Sequence, residues 1–462
     1  MITFEIEDLY TRASGDEHEI HILRGILSCY VPGYKFTKAY KQGRWNGKKY
    51  FLTGRGVFPT GLLPYALKKV PGWIQMRKVD KRKIPQVVLR DPHLEGITLR
   101  PYQRTAIFTS CSKGRGVIEA PAGSGKTEIA IGIISCLSYP KTLYLVHQKD
   151  LMYQTARRIE NRLKYEPGIV GDGNYNEKKI TVATVQTLWS RRKEPVVNLF
   201  LRNIELLIID ECHHASATTW YRIAMKTHAP FRFGLSATPL VASSLRDMKL
   251  AAATGPVIVK IREGKLAEYG YLSSPKIIMV TVNTPFLPPQ MPYQMAYEQG
   301  IVRNAARNLL IEQIAKRLTC EGRTVLVLVE TVEHGQRLSE LLDARFLSGR
   351  ETKEVREETL LSFSRGEINL LIATKILDEG IDAPAVSGVI MAAGGKSYVR
   401  CIQRIGRSMR VAEDKKDPLV FDFVDGCHPY LERHSLKRME FYRKKNYRVS
   451  VLSEKDLIRV PL

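Results

Sequence analysis

From residue 99 onward the chain alternates between two patterns. Short, mostly apolar runs at 117–120, 142–146, 180–183, 206–209 and 232–235 are separated by longer stretches in which polar residues interrupt the apolar ones. A run without alternation predicts a strand buried on both faces, and helices between such strands predict a parallel sheet covered on both sides. The pattern starts again after Pro275, with runs at 277–280, 324–329, 370–373, 388–392 and 419–422. Two successive α/β units are therefore expected. The proline-rich stretch 284–292 reads as an irregular connector near the start of the second.

The chain before residue 90 is different. Between Ile20 and Arg90 the only acid is Asp80, while Lys and Arg recur from Arg24 to Lys83. Residues 41–59 read as short strands broken by glycine turns, and 60–69 as a short amphipathic helix. A small basic α+β domain over 1–92 is expected, with a linker near 85–95. The tail 434–448 is also basic and reads as helical.

Bulk properties narrow the function. A chain of 462 residues is long enough for two or three domains, and 44% hydrophobic content is ordinary for a protein that buries several cores. A formal net charge of +24 is not ordinary and points to a polyanionic partner, whose phosphates release counterions when neutralised. No run of about 18 apolar residues is present, so no membrane span is expected. The first twenty residues carry Glu5, Glu7, Asp8, Asp16, Glu17 and Glu19, unlike a secretory or transit peptide, and a cytoplasmic protein is expected. The seven cysteines are scattered without a paired spacing, which predicts reduced thiols and no structural zinc.

Three constellations carry candidate chemistry. The loop 120–127 reads Ala120-Pro121-Ala122-Gly123-Ser124-Gly125-Lys126-Thr127, placed between a predicted strand and a predicted helix. Its glycines let backbone amides face a phosphate, and the helix amino terminus adds donors and a favourable dipole. Lys126 is placed to reach the β/γ-phosphates and the Thr127 hydroxyl to ligate magnesium. The first position is Ala120 rather than the usual glycine. Asp210-Glu211 follows the run 206–209, at the sheet edge where α/β folds bind ligands. Asp210 can hold magnesium, and Glu211 can orient or deprotonate a water. The third group, Arg404, Arg407 and Arg410, has the spacing of one helix face, and an inserted guanidinium stabilises charge on a transferring phosphoryl group. Bound ATP with Mg2+ is the expectation.

The ordered set Leu99-Arg100-Pro101-Tyr102-Gln103, the Gly125-Lys126-Thr127 loop, Asp210-Glu211-Cys212-His213, Ser236-Ala237-Thr238, Thr374 with Asp382, and 403–410 resembles superfamily 2 helicases and translocases over about residues 97–425. Within them the chain is most similar to phage UvsW-type helicases, with kinship to XPB and RecG-like remodellers. Arg44-Trp45-Asn46-Gly47 followed by 60–64 carries the more specific likeness. Cys212 and Gln403 depart from the Ala and His of DEAD-box RNA helicases.

The resemblance implies two tandem RecA-like parallel-sheet domains preceded by the basic domain: 1–92 accessory and DNA-binding, 93–270 ATP-binding, and 271–462 the second motor domain ending in a basic helix. It implies that Gln103 reads adenine with Tyr102 or Arg100 near the base, that Ala122, Gly123, Ser124, Gly125, Lys126 and Thr127 cradle the phosphates, and that Gly380 and Asp382 sense the nucleotide. Ser236 and Thr238 would couple hydrolysis to movement. Gln403, Arg407 and Arg410 would complete catalysis from the second domain, and Thr184 and Thr374 would touch the DNA backbone. Arg44, Trp45 and Lys48 are the expected DNA contacts of the basic domain. The implied activity is ATP-dependent remodelling of branched or partly single-stranded DNA in recombination, repair or replication, by a monomer, with single-strand-binding or recombination proteins as partners. An RNA or RNA–DNA hybrid helicase, and the motor subunit of a restriction or defence nuclease, are the alternatives.

Overall fold

The computed structural model describes every residue except 83–88, 122, 213–217, 237–243, 263–265, 267–274, 375–385, 396–418, 445–446 and 458–462. Two units divide the chain, Met1–Pro121 with Gly125–Arg262, and Ala122–Ser124 with Glu263–Leu462.

The continuous apolar runs of the first unit become the middle of one sheet. Its order is β10-β9-β11-β8-β12-β13-β7-β14, where β7 is Arg115–Glu119, β8 Thr142–Val146, β9 Gly168–Gly171, β10 Asn174–Tyr175, β11 Ile180–Thr184, β12 Leu206–Ile209, β13 Phe231–Ser236 and β14 Val257–Lys260. All neighbours are parallel except β10 beside β9. Every residue of β7, β8, β11, β12 and β13 is buried. Successive side chains of a strand point to opposite faces, and both faces are covered. Leu207 and Ile209 of β12 join one apolar cluster, and Leu206 and Ile208 the other.

An amino-terminal sheet belongs to the same unit. Its order is β5-β2-β1-β6, with β1 Ile2–Ile6, β2 Tyr10–Ser14, β5 Val57–Pro59 and β6 Met76–Asp80. β1 runs antiparallel to β2 and parallel to β6, and Ile2, Phe4 and Ile6 alternate into the core. The helix Glu17–Ile26 covers this sheet and opens on a reciprocal cap between Asp16 and Glu19. A separate pair, β3 Ser28–Tyr30 and β4 Lys48–Tyr50, carries the glycine turn of residues 43–47. Met248 and Ala252 of the helix Leu245–Thr254 enter the amino-terminal apolar cluster. Gly61 makes that contact close: a Cβ there would lie 2.0 Å from the Ala251 carbonyl oxygen.

The second unit repeats the first architecture. All seven strands are parallel in the order β17-β18-β16-β19-β20-β15-β21. They are β15 Lys276–Val282, β16 Val325–Leu328, β17 Arg345–Leu347, β18 Leu370–Ala373, β19 Gly388–Met391, β20 Leu419–Asp425 and β21 Arg448–Leu452. The helices include Ala305–Cys320, Val332–Leu342, Lys353–Ser364 and Pro429–Lys444. Ion pairs are built into this core. Arg307 meets Asp425 at 2.8 Å and Arg438 meets Asp422 at 2.9 Å, with all four side chains buried. Tyr442 donates to Asp422 at 2.7 Å, and Arg438 also donates to the Gly394 and Phe423 carbonyls, so the buried charges are extensively hydrogen-bonded.

Both RecA-like units thus have the parallel sheets expected. Among the described residues no helix is long and apolar enough to cross a membrane.

Candidate active site

The site grows from the carboxyl edge of the first sheet. β7 runs into the glycine loop, where Gly123 and Gly125 have φ of +77° and +75°. A side chain costs about 1–2 kcal/mol in that left-handed region, so glycine suits both positions. Gly125 then caps the helix Lys126–Cys136. A Cβ on Gly125 would lie 2.4 Å from Gln103 Nε2, so the glutamine rests directly on the loop. Gln103 is buried in the first turn of the helix Pro101–Lys113, and its Oε1 accepts from the Arg100 backbone amide at 2.9 Å. Arg100 itself approaches the Tyr102 hydroxyl at 3.4 Å.

Lys126 turns back toward the end of the strand. Its Nζ donates to the carbonyls of Ala120 at 3.4 Å and Pro121 at 3.5 Å, and lies 4.0 Å from Glu211 Oε1. β12 delivers the acids. The Asp210 amide still bonds Leu145 of β8, and the chain then turns at Glu211, which has the unusual φ of +43° for a non-glycine residue. Asp210 Oδ1 accepts from the Glu211 amide at 2.8 Å, and Oδ2 accepts from the Tyr144 hydroxyl at 3.3 Å. Burial pushes the Asp210 carboxyl above the usual carboxylate range. The charge of Glu211 pushes it the same way, and Lys126 and the Tyr144 hydroxyl oppose them.

Tyr144 was not among the expected site residues. Its phenol is fully buried, bonds Asp210, and titrates well above its ordinary range because burial disfavours the phenolate. The signal is a phenol in the middle of the mostly apolar run 142–146, which reads more simply as core. Cys212 is a filler: its Sγ would stand 2.8 Å from a Cβ on Gly234 of β13. Ser236, at the end of β13, is buried, and its carbonyl accepts from the Ala120 amide at 2.9 Å, tying β13 to the start of the loop.

The structure therefore gathers Gln103, Gly125, Lys126, Thr127, Tyr144, Asp210 and Glu211. The other expected residues lie elsewhere. Thr184 is buried at the amino-terminal cap of the helix Val185–Ser190, donating to the Thr187 hydroxyl at 2.9 Å. Thr374 is half-buried beyond β18, and its amide bonds Leu347. Arg44 is exposed, Trp45 donates its indole N–H to the Lys48 carbonyl at 2.9 Å, and Lys48 Nζ lies 5.1 Å from the Tyr30 ring centroid. Ala122, Thr238, Gly380, Asp382, Gln403, Arg407 and Arg410 lie outside the described residues. A cation, a left-handed glycine loop, a helix amino terminus and two acids at one sheet edge can bind a phosphate and act on it with a carboxylate.

Known proteins match this arrangement. Residues 96–241 fit the family model described as Type III restriction enzyme, res subunit, and residues 305–412 fit the helicase conserved C-terminal domain. The chain is 30% identical over 325 residues to the Rad25-type DNA 3′–5′ helicase of Haloarcula marismortui, covering 69% of this chain and 52% of that one. The chain thus spans about half the length of that relative. It is 27% identical to the DNA 3′–5′ translocase XPB2 of Sulfurisphaera tokodaii, over 89% of this chain and 99% of that one. It is 24% identical to the ATP-dependent DNA helicase UvsW of Enterobacteria phage T4, over 95% and 96%. The fold likeness extends to the restriction-modification enzyme LlaBIII, with a TM-score of 0.56 at 17% identity over 77% of this chain and 31% of that one. The chain is a superfamily 2 helicase, an ATP-dependent enzyme of the group that includes the XPB and UvsW proteins.

Proposed function

We propose that the chain is an ATP-driven DNA helicase or translocase that remodels branched DNA such as forks, displacement loops and Holliday junctions. The observation that carries this reading is the meeting of Lys126 with the Asp210-Glu211 pair beside the left-handed glycine loop. The likeness to XPB2 and UvsW over nearly their full lengths supports DNA as the track. So does a net charge of +24.

Each residue has a part in this proposal. The loop amides and Lys126 bind the triphosphate, and Lys126 exchanges Glu211 for phosphate oxygens on binding. Glu211 then orients and deprotonates the attacking water. Gln103, fixed by the Arg100 amide, reads adenine.

The donors at this edge fit magnesium. Thr127 and Asp210 offer hard oxygen ligands, and Asp210 is held by the Tyr144 hydroxyl at 3.3 Å. Among the described residues no three His, Cys, Asp or Glu side chains gather as a complete metal cage, which suits an ion that keeps water and phosphate ligands. Bound there, magnesium neutralises phosphate charge and polarises the phosphoryl oxygens.

Gly380, Asp382, Gln403, Arg407 and Arg410 complete hydrolysis in this proposal, and Ser236 and Thr238 couple it to movement. Thr184 and Thr374 contact the strand backbone, and Arg44, Trp45 and Lys48 form part of a basic DNA surface. The protein works as a monomer in the cytoplasm, of the host cell if phage-encoded, alongside single-strand-binding or recombination proteins.

The test is strand displacement on a panel of forks, displacement loops, Holliday junctions, linear duplex DNA, duplex RNA and RNA–DNA hybrids. Activity concentrated on branched DNA supports the proposal. Activity confined to RNA or hybrids overturns it.

A further inference from the structure

A second feature of the first unit lies outside the nucleotide site. A cavity of about 420 Å3 is lined by the aromatic rings Tyr10, Trp189 and Tyr221, the cations Arg192, Lys193, Arg222 and Lys226, and Met225. Tyr10 comes from β2 of the amino-terminal sheet. Trp189 belongs to the helix Val185–Ser190, and Tyr221 and Arg222 to the helix Thr218–Ala224. Its size falls in the usual range of ligand pockets, about 300–1,000 Å3.

The lining is ordered by its own bonds. Lys226 Nζ donates to the Arg192 carbonyl and to Asn198 Oδ1, each at 3.1 Å, which fastens the turn after Trp189 to the neighbouring helices. Arg192 donates to the Trp189 carbonyl at 2.7 Å. The Arg192 and Arg222 guanidinium carbons lie 4.2 and 5.6 Å from the Trp189 ring centroid. Glu194, the nearest acid in sequence, is held by Arg191 at 2.7 Å. Among the described residues Arg192, Lys193, Arg222 and Lys226 have no carboxylate within ion-pair distance. Four cations and three aromatic rings thus face one concave surface with their charge uncompensated.

We propose that this cavity is an auxiliary binding site for single-stranded nucleic acid, with the cations on the phosphodiester backbone and an unpaired base on the aromatic rings. The proposal rests on the nucleic-acid reading above. Cations alone would suit any polyanion, but ring faces bind bases only where these are unstacked. In a duplex the bases stack on one another and cannot enter. The helix Val185–Ser190, about 9 Å long at 1.5 Å per residue, joins the cavity to Thr184. A strand touching Thr184 at one end can reach Trp189 at the other. Because Tyr10 lines the cavity, the amino-terminal sheet takes part in the site; the Asp8 carbonyl, which accepts from Arg115 at 2.6 Å, helps hold it there.

The test is fluorescence anisotropy of labelled short oligo(dT) and oligo(rU) with the full chain across a salt titration. The variants are Arg192→Ala/Lys193→Ala/Arg222→Ala and, as a milder change on an exposed side chain, Lys193→Glu. Thermal melting monitors the fold. The triple variant is expected to weaken oligo(dT) binding about tenfold or more and to reduce the log–log salt slope by about 2, since each single-strand phosphate contact contributes about 0.7. Lys193→Glu weakens binding in the same direction. Equal loss on both oligonucleotides identifies backbone and base recognition, and loss on oligo(dT) alone identifies DNA. Wild-type binding with an unchanged affinity and salt slope in both variants overturns the cavity and leaves the motor reading intact. A wild type that binds neither oligonucleotide, and whose ATPase no nucleic acid stimulates, overturns both.

Discussion

Replacing Tyr144 by Phe removes one hydroxyl and keeps the ring in its place between the strands. The hydroxyl donates to Asp210 Oδ2 at 3.3 Å. A hydrogen bond to a charged group is worth about 1.5–3 kcal/mol, and one at the long end of the distance range belongs near about 1.5. That is about one pKa unit, or about tenfold in an equilibrium. The phenol favours the ionised carboxylate, so its loss moves Asp210 further up from a position already raised by burial and by Glu211. Magnesium needs the ionised form. The magnesium concentration for half-maximal ATPase at neutral pH is therefore predicted to rise in Tyr144→Phe, by no more than about tenfold. The deficit should shrink as pH rises, because alkali restores the carboxylate, and grow as pH falls. The assay is steady-state ATP hydrolysis titrated with magnesium at several pH values. Magnesium and pH profiles that superimpose on the wild type would refute the coupling of Tyr144 to Asp210.

Asp210→Asn should abolish hydrolysis yet raise the thermal midpoint of the nucleotide-free protein above pH 7. A carboxyl with a raised folded pKa contributes stability below its unfolded value and loses it as pH rises through the folded one, so the two proteins should converge near pH 4. His334 is fully buried, and its ring faces Asn308 Oδ1 at 3.0 Å. Burial, with the charges of Arg307 and Arg337, pushes its pKa down to about 3. The unfolded chain takes up that proton below about 6.5, so lowering the pH from neutral to 5 should cost the second unit about 2 kcal/mol. Urea unfolding of His334→Gln should lack that increment of acid sensitivity. Gly61→Ala places a Cβ against the Ala251 carbonyl, an overpacking cost of about 1–3 kcal/mol. Limited proteolysis should then release the amino-terminal segment faster than in the wild type, with equal rates counting against the close contact.

Much of this was readable before any coordinates, for physical reasons. Central parallel strands are buried on both faces, so β8, β12 and β18 appear in the sequence as unbroken apolar runs with their ends intact. Edge strands are half-exposed, and their apolar runs are shorter and bounded by charges, as in Val257-Ile258-Val259-Lys260 and Arg345-Phe346-Leu347. The pairs of β14 with β7, β17 with β18 and β21 with β15 lie at sheet edges, where Val257, Lys260, Arg345 and Arg448 face outward. β1 did alternate, Ile2-Thr3-Phe4-Glu5-Ile6, but its acids drew attention to charge rather than to period. The basic tail is a helix only to Lys444, and β21 follows it.

The candidate site divides in the same way. Lys126, Asp210 and Glu211 are legible because their polar types are improbable at the ends of apolar strands. Gln103 is buried against Gly125, a contact that no local pattern in the sequence announces. Tyr144 was hidden by its neighbours, since a phenol in an apolar strand discloses its role only when the acid on the adjacent strand is brought opposite. The cavity beside Trp189 was hidden for a related reason: Tyr10 and Tyr221 are 211 positions apart and meet only through the docking of the amino-terminal sheet.

The most direct measurement of the central claim is steady-state ATP hydrolysis by the wild type and by Lys126→Ala, with and without forked DNA. The account predicts strong stimulation of the wild type by the fork and no hydrolysis above background by the variant under either condition. Wild-type hydrolysis that is indifferent to DNA and to every other nucleic acid, or a variant that hydrolyses ATP as the wild type does, would contradict it.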